Sequence, residues 1–351
     1  MPLRLSSLPA LAALPFDEVI DVRSPSEYAQ DHLPGARNLP VLSDAERARV
    51  GTIYVQQDRF LARKIGAALV ARNAAAHLEG PLAERGGGWR PLLYCWRGGQ
   101  RSGSFAAILQ QIGWRADIIE GGYRSYRRLV VATLYDTPLP CPVVLIDGGT
   151  GTAKTRLLGH LAAAGAQVLD LEAMAGHRGS VFGLIGAAQP SQKAFESALA
   201  QRVTALDPGR PVFVEAESAR IGAITLPPAL AVAMKGARAV RLDVPMAARV
   251  GHILEEYADL IADPARLDAL LGRLVRYHGR EQVAQWRAWA AAGAFAPLVE
   301  ALITTHYDPR YARMSKAPCV PLTLPDLGEA TLRRAAAQLI AQHGKGARAL
   351  P

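Results

Sequence analysis

Twice along this chain an apolar run feeds straight into a glycine-rich loop, and the loop into a helix-forming stretch. RPLLYC, WRGGQR and SGSFAAILQQIGW make the first series (90–114), and PVVLID, GGTGTAKT and RLLGHLAAAG the second (142–165). A short run that is apolar throughout reads as a strand buried on both faces, and a helix returning over the sheet makes the next strand parallel. The chain is therefore expected to be α/β, with parallel sheets.

The flanking pattern fills in the plan. FDEVIDVR reads as a buried strand, SPSEYAQDH as a short helix with Ser24 before Pro25 and Glu27 in capping position, and LPGARNLP as a turn and short strand. Residues 43–79 read as helical, and ADIIEGGY as a strand ending in a glycine turn. TPLPCP (137–142), with three prolines in six residues, reads as a linker. AQVLDLE, RPVFVEAE and ARAVRLDVP supply further strands, and from Met246 onward the pattern is helical and rich in Ala, Arg and Leu. The expected division is a first α/β domain over 1–136, a linker over 137–142, a second α/β domain over 143–245 and a helical region over 246–351.

Cys95, Cys141 and Cys319 are isolated, a spacing that argues against a disulfide framework or zinc site and for a reducing, cytoplasmic setting. No apolar run has the length of a membrane span, and MPLRLSSLPALAALPF lacks a clear apolar core and cleavage site, so it is expected to belong to the fold. The 40 basic residues exceed the 31 acidic ones by nine, which suggests a polyanionic partner, nucleic acid first.

The loop after Cys95 lies between the end of a strand and the start of a helix, where backbone N–H groups converge on an anion. Gly98 and Gly99 permit tight curvature, and Arg97 and Arg101 add positive charge. That field favours the thiolate and makes Cys95, Arg97 and Arg101 the candidate catalytic set. The reading requires a sulfur that solvent and substrate can reach.

IDVRSPSEY, HLPGARNLP, the cysteine loop and EGGYRSY together resemble a rhodanese domain over most of residues 16–130. Asp21, Arg23, Glu27, His32, Gly35 and Ala36 match that family's N-terminal signature, and Gly121, Gly122 and Tyr123 its C-terminal one. The resemblance implies a cysteine that carries sulfur or selenium. Arg101 follows Cys95 one position later than in common rhodanese loops, a spacing like that of dual-specificity phosphatases, although Tyr94 replaces the histidine those enzymes carry. The longer loop has room for a tetrahedral phosphate-like group beside the sulfur.

GGTGTAKT nearly fits the P-loop pattern, with Ala153 in place of the last glycine. Gly148, Gly149, Thr150, Gly151, Thr152, Lys154 and Thr155 are the expected phosphate or diphosphate ligands. Ala153 keeps its N–H and tolerates helical dihedrals, so the cradle is expected to survive. Glu215 and Glu217, in VFVEAESARIG, can hold a metal such as Mg2+ or cap the next helix, and Asp170 and Glu172 carry the same ambiguity. GHRGSVFG and QPSQKAFE are polar where a core helix would be apolar, which makes His177, Arg178, Ser180, Gln189, Gln192 and Lys193 candidates for substrate contact, with Arg220 beside them.

The series YCWRGGQRS, GGTGTAKTRLL, HRGS-FG, QPSQK-FE and EAES-RIG resembles the tRNA 2-selenouridine synthase family over about residues 15–315. The resemblance implies a rhodanese-like parallel-sheet domain followed by a P-loop NTPase-like α/β domain with a helical C-terminal part. It implies a tRNA with a wobble 2-thiouridine as partner, and an enzyme supplying selenophosphate as a further one. It also implies geranyl diphosphate and selenophosphate as co-substrates, with no tightly bound cofactor. Cys95 then either carries selenium covalently or orients the donor, and the P-loop takes geranyl diphosphate or a nucleotide. In the helical region Arg276, Arg280, Trp286, Tyr307, Arg310, Tyr311 and Arg313 are expected to face tRNA through phosphate contacts and base stacking.

Two other classes remain at this stage. One is a rhodanese-related cysteine phosphatase or sulfurtransferase with a regulatory P-loop module. The other is an RNA-binding adaptor whose rhodanese domain does no chemistry.

Overall fold

The computed structural model describes residues 2–178, 188–314 and 319–344, and the side chains of all of these except 312–314. It divides into two compact units, Met1–Pro138 with Pro190–Ala205, and Leu139–Gln189 with Leu206–Pro351. The architecture is α/β in both.

In the first unit the strands β1 (Glu18–Asp21), β2 (Arg37–Asn38), β3 (Pro91–Tyr94) and β4 (Asp117–Ile118) form one sheet in the order β2-β1-β3-β4. All neighbours are parallel, with Ile20 opposite Leu93 in the central pair. The four residues of β3 are all buried, as a strand covered on both faces requires. Helices Asp44–Gln56, Arg59–Glu79 and Gln100–Ile112 contribute Leu69, Val70, Phe105 and Leu109 to a core with Ile20, Val22 and Leu93. The helix at Pro25 starts as its sequence predicts, with the Ser24 N–H donating to Glu27 Oε2 at 3.2 Å.

This unit also holds a helix from early in the second half of the chain, Gln192–Thr204. Phe195, Leu199 and Val203 recur at helical spacing and are buried. Ser197 Oγ donates to Asp31 Oδ2 at 2.8 Å, Tyr135 donates to Glu196, and Arg127 pairs with Glu196. This corrects the polar, non-core reading of QPSQKAFE, which is the start of a packed helix.

In the second unit β5 (Val143–Asp147), β6 (Gln167–Leu169), β7 (Val212–Glu215), β10 (Arg238–Asp243) and β11 (Cys319–Thr323) form a parallel sheet in the order β11-β10-β5-β7-β6. A short antiparallel hairpin, β8 (Arg220–Ile221) and β9 (Ile224–Thr225), stands apart from it. Strand β11 lies within 246–351, which the sequence pattern marks as helical, and is the strand that pattern missed. Pro321 cannot donate to a ladder, and the strand tolerates it because it lies at the sheet edge. Beyond β10 the helices close a second core around Leu267, Leu271, Leu298 and Trp286. Among the described residues no helix is long and apolar enough to cross a membrane.

Candidate functional site

Cys95 follows β3, and its loop is locked from beneath by the EGGY turn. The Tyr123 N–H donates to Cys95 O at 2.8 Å and the Arg124 N–H to Trp96 O at 3.1 Å. Gly98 and Gly122 permit the approach. A Cβ on Gly98 would stand 2.4 Å from Ile119 O, and one on Gly122 would stand 2.2 Å from Cys95 O. Both also have φ in the left-handed region, +64° and +56°. The signature residues brace this floor. Arg23 and Asp21 form a fully buried ion pair, and the Arg23 guanidinium lies 4.1 Å from the Tyr123 ring centroid. Tyr123 in turn donates to Asp31 at 2.8 Å.

Two donors point at the sulfur, the Gly99 N–H and Ser102 Oγ, each at 3.3 Å from Sγ. Burial pushes the thiol pKa up, but the bonds from Ser102 and Gly99 and the nearby Arg101 charge outweigh it, so the net shift is downward. Residue 95 is buried, only 4% exposed, which corrects the expectation of a sulfur open to solvent and substrate: the loop closes over it in this structure. Arg97 is exposed. Arg101 is not free to grip a ligand with both nitrogens, because Nη1 and Nη2 bond Glu27 at 2.6 and 3.3 Å. Lys193, borrowed with its helix, lies 5.6 Å from the Trp96 ring centroid, beside the cysteine. Gln192 in the same helix bonds Glu196 at 2.8 Å.

The glycine loop runs from β5 into helix Lys154–Ala163. Lys154 Nζ donates back to Gly148 O at 2.8 Å, and Thr155 Oγ1 to Glu172 Oε2 at 3.2 Å. Ala153 does not adopt helical dihedrals as expected. Its φ of 59° and ψ of 36° are left-handed, which places strain on a residue with a Cβ. The loop is braced by Arg249, whose Nε donates to Thr150 O at 2.9 Å while its other nitrogens bond Asp308 at 3.0 and 2.6 Å. Sequence reading missed this brace, and only the sequence distance of 99 residues between Arg249 and Thr150 hid it.

A cavity of about 610 Å³ opens over this loop, lined by Gly148, Thr150 to Arg156, Glu172, Arg178 and Glu217. Tyr307, Arg310 and Tyr311 line it too, so these three expected tRNA contacts face the P-loop cavity. Tyr311 donates to Asp147, at the end of β5. An apolar slot of about 60 Å³ shares Thr150, Ile253, Tyr257 and Tyr307 with the cavity and continues among Leu260, Leu298, Leu302 and Ile303.

The carboxylates at the strand ends act as caps. Asp170 accepts from the Ala173 N–H at 2.8 Å and Glu215 from the Glu172 N–H at 2.6 Å. Burial, reinforced by neighbouring carboxylates, raises Glu172 to about 8 and Glu215 to about 9, so both are neutral acids at neutral pH. Among the described residues no group of three or more His, Cys, Asp or Glu is arranged to hold a metal ion.

The remaining candidates scatter. Arg178 pairs with Glu256 and Asp259 at the cavity wall. Gln189 bonds Ala175 O, Ile221 O and the Ala223 N–H and staples the hairpin in place. His177 lies against Gly222 of that hairpin. Arg220 is exposed. Ser180 lies outside the described residues, as does the side chain of Arg313. Arg276 and Arg280 are exposed. Trp286 is a correction: it is fully buried against Leu267, Leu271 and Val283 and offers no face for a base.

A family model described as the tRNA 2-selenouridine synthase AAA domain matches residues 141–270, and one for the rhodanese-like domain matches 8–129. A tRNA 2-selenouridine synthase from Nitrosomonas europaea is 39% identical over 68% of this chain and 63% of its own length, so that match spans under two thirds of the relative. One from Aeromonas salmonicida is 37% identical over 72% of this chain and 69% of its own. One from Bordetella bronchiseptica is 34% identical over 87% of this chain and 90% of its own length. A thiol loop on a rhodanese sheet and a glycine loop on a second sheet, joined to a match of that extent, place this chain in the tRNA 2-selenouridine synthase family.

Proposed function

We propose that this chain converts 2-thiouridine in the wobble position of tRNA to 2-selenouridine in two steps. In the first, the thiocarbonyl sulfur attacks C1 of geranyl diphosphate, the C–O bond breaks and diphosphate leaves. In the second, the selenium of selenophosphate attacks C2 of the base, the C2–S bond breaks, and the geranyl thiolate leaves and takes a proton. Water then cleaves the Se–P bond, giving orthophosphate and the selenium base. The P-loop cavity serves the first step, where Lys154 and the loop amides stabilise the departing diphosphate. The Cys95 loop, rich in donors and positive charge, receives the selenium donor.

The apolar slot beside Thr150 is the observation that favours an isoprenoid diphosphate over a nucleotide. A nucleotide base needs polar partners, whereas the slot's Leu, Ile, Val and Phe side chains suit a hydrocarbon tail. The phosphatase reading is disfavoured because Glu27 already holds the Arg101 guanidinium.

Equilibrium binding to the full-length protein tests this reading. Geranyl diphosphate is expected to bind more tightly than ATP, and Leu302→Trp, which fills the slot, is expected to erase the difference while leaving inorganic diphosphate unaffected. Preference for ATP in the unmodified protein contradicts it.

A further inference from the structure

We propose that Arg310 is the second phosphate-binding cation of the P-loop cavity, and that His306, backed by His278, is the positioning residue that aims it. This rests on the P-loop reading above and adds to it a residue that the sequence assigned to tRNA.

The cations at the cavity wall differ in what they already hold. Arg156 pairs with Glu255 and Glu329, and Arg178 with Glu256 and Asp259. Lys154 donates to its own loop. Arg310 alone among these arginines has no carboxylate within ion-pair distance among the described residues. Its contacts are neutral: His306 Nε2 at 3.3 Å from Nη1, and the Tyr277 ring with its centroid 4.2 Å from Cζ. A guanidinium held by neutral groups at the wall of the P-loop cavity keeps its full charge for an anion.

The histidine pair sets the direction of that hold. Arginine only donates, so His306 Nε2 must be the bare nitrogen. The proton of neutral His306 is then on Nδ1, which lies 2.8 Å from His278 Nε2 and donates to it. Each ring thus fixes the tautomer of the next, and His306, 1% exposed, cannot turn without breaking both bonds. Burial, with Arg310 and His278 beside it, lowers His306 to about 4, so it stays a neutral acceptor across the physiological range. Trp286 packs edge-on against His278 with ring centroids 5.0 Å apart and anchors the relay in the helical core.

The chemistry recognised is a phosphate oxygen, which geranyl diphosphate and the tRNA backbone both offer. The test measures binding of inorganic diphosphate and of tRNA separately, to full-length protein. Arg310→Ala is expected to weaken diphosphate by about 10- to 100-fold, the scale of a lost charge-assisted hydrogen bond, and to leave tRNA affinity within about twofold. His306→Gln, which keeps an acceptor near the Nε2 position, is expected to bind diphosphate nearly as the parent does, while His306→Leu loses about fivefold or more on the same scale. Unchanged diphosphate affinity in Arg310→Ala, or a loss confined to tRNA, overturns the assignment. Equal behaviour of His306→Gln and His306→Leu overturns the positioning role. A parent protein that ignores diphosphate altogether overturns the P-loop reading itself, a result recognisable before any variant is made.

Discussion

Ser102 Oγ stands 3.3 Å from the Cys95 sulfur and donates to it, one helical turn after the glycine loop that carries the second donor. Ser102 is fully buried, so its hydroxyl has few other uses; its alternative partner is Gly99 O at 3.4 Å. Ser102→Ala is expected to raise the Cys95 pKa, because burial is then opposed by fewer donors. The rate of alkylation by iodoacetamide as a function of pH reads this directly. The parent midpoint is expected below that of an ordinary cysteine, and the variant's above the parent's.

The cysteine loop and the EGGY turn are packed backbone on backbone. Gly122→Ala puts a methyl into Cys95 O at φ 56° and ψ −144°, backbone that residues with a Cβ rarely adopt, and is expected to cost about 1–3 kcal/mol for overpacking and ~1–3 kcal/mol for the dihedral. Gly35→Ala carries a similar φ, +69°, with nothing within 4 Å, and is expected to cost only the dihedral part. Thermal unfolding of the two variants separates the two causes, and a Gly122→Ala protein as stable as Gly35→Ala contradicts the packing argument.

Much of this was legible in the sequence because it is local. Both glycine loops sit between a strand and a helix that adjoin them in the chain, and Cys95, Lys154 and Thr155 stand where that local order puts them. What was not legible depends on contacts across long stretches of chain. Arg249 reaches the P-loop carbonyl of Thr150, and the His306–Arg310 segment turns into the cavity instead of outward. Composition could not separate a stacking tryptophan from a core one, so Trp286 was misread. QPSQKAFE was read as polar and non-core because most of the apolar stripe of helix Gln192–Thr204 lies beyond it, at Leu199 and Val203, and β11 was hidden by Pro321.

Ala153 is the only non-glycine residue with positive φ among the described residues. Relief of the left-handed strain is worth ~1–2 kcal/mol and the added freedom of glycine in the unfolded chain costs about 0.5–1 kcal/mol. Ala153→Gly is therefore expected to stabilise the protein by up to roughly 1.5 kcal/mol, read from denaturant midpoints. A β-branched residue there, as in Ala153→Val, is expected to destabilise. A glycine variant less stable than the parent contradicts the strain.

Glu215 keeps its proton up to about 9 in the folded chain, against a reference value of 4.5. Between those values the folded state binds a proton that the unfolded state lacks, so stability falls as pH rises and levels off above the folded pKa. Below the reference value both states are protonated and the group contributes no slope. Glu215→Gln removes that dependence, and its stability is expected to change less between pH 5 and about 9 than the parent's. Urea unfolding at a series of pH values checks it; parallel curves for parent and variant contradict a protonated Glu215.

We propose that a thiolate loop at Cys95 and an anion cradle at Lys154 handle successive steps on one base. This division of labour is tested most directly by mass spectrometry of nucleosides from 2-thiouridine tRNA incubated with protein, geranyl diphosphate and selenophosphate. Cys95→Ser is expected to accumulate the S-geranyl nucleoside without the selenium product, and Lys154→Ala to leave 2-thiouridine unreacted. Equal loss of both products in both variants, or selenium incorporation that survives Cys95→Ser, contradicts the account.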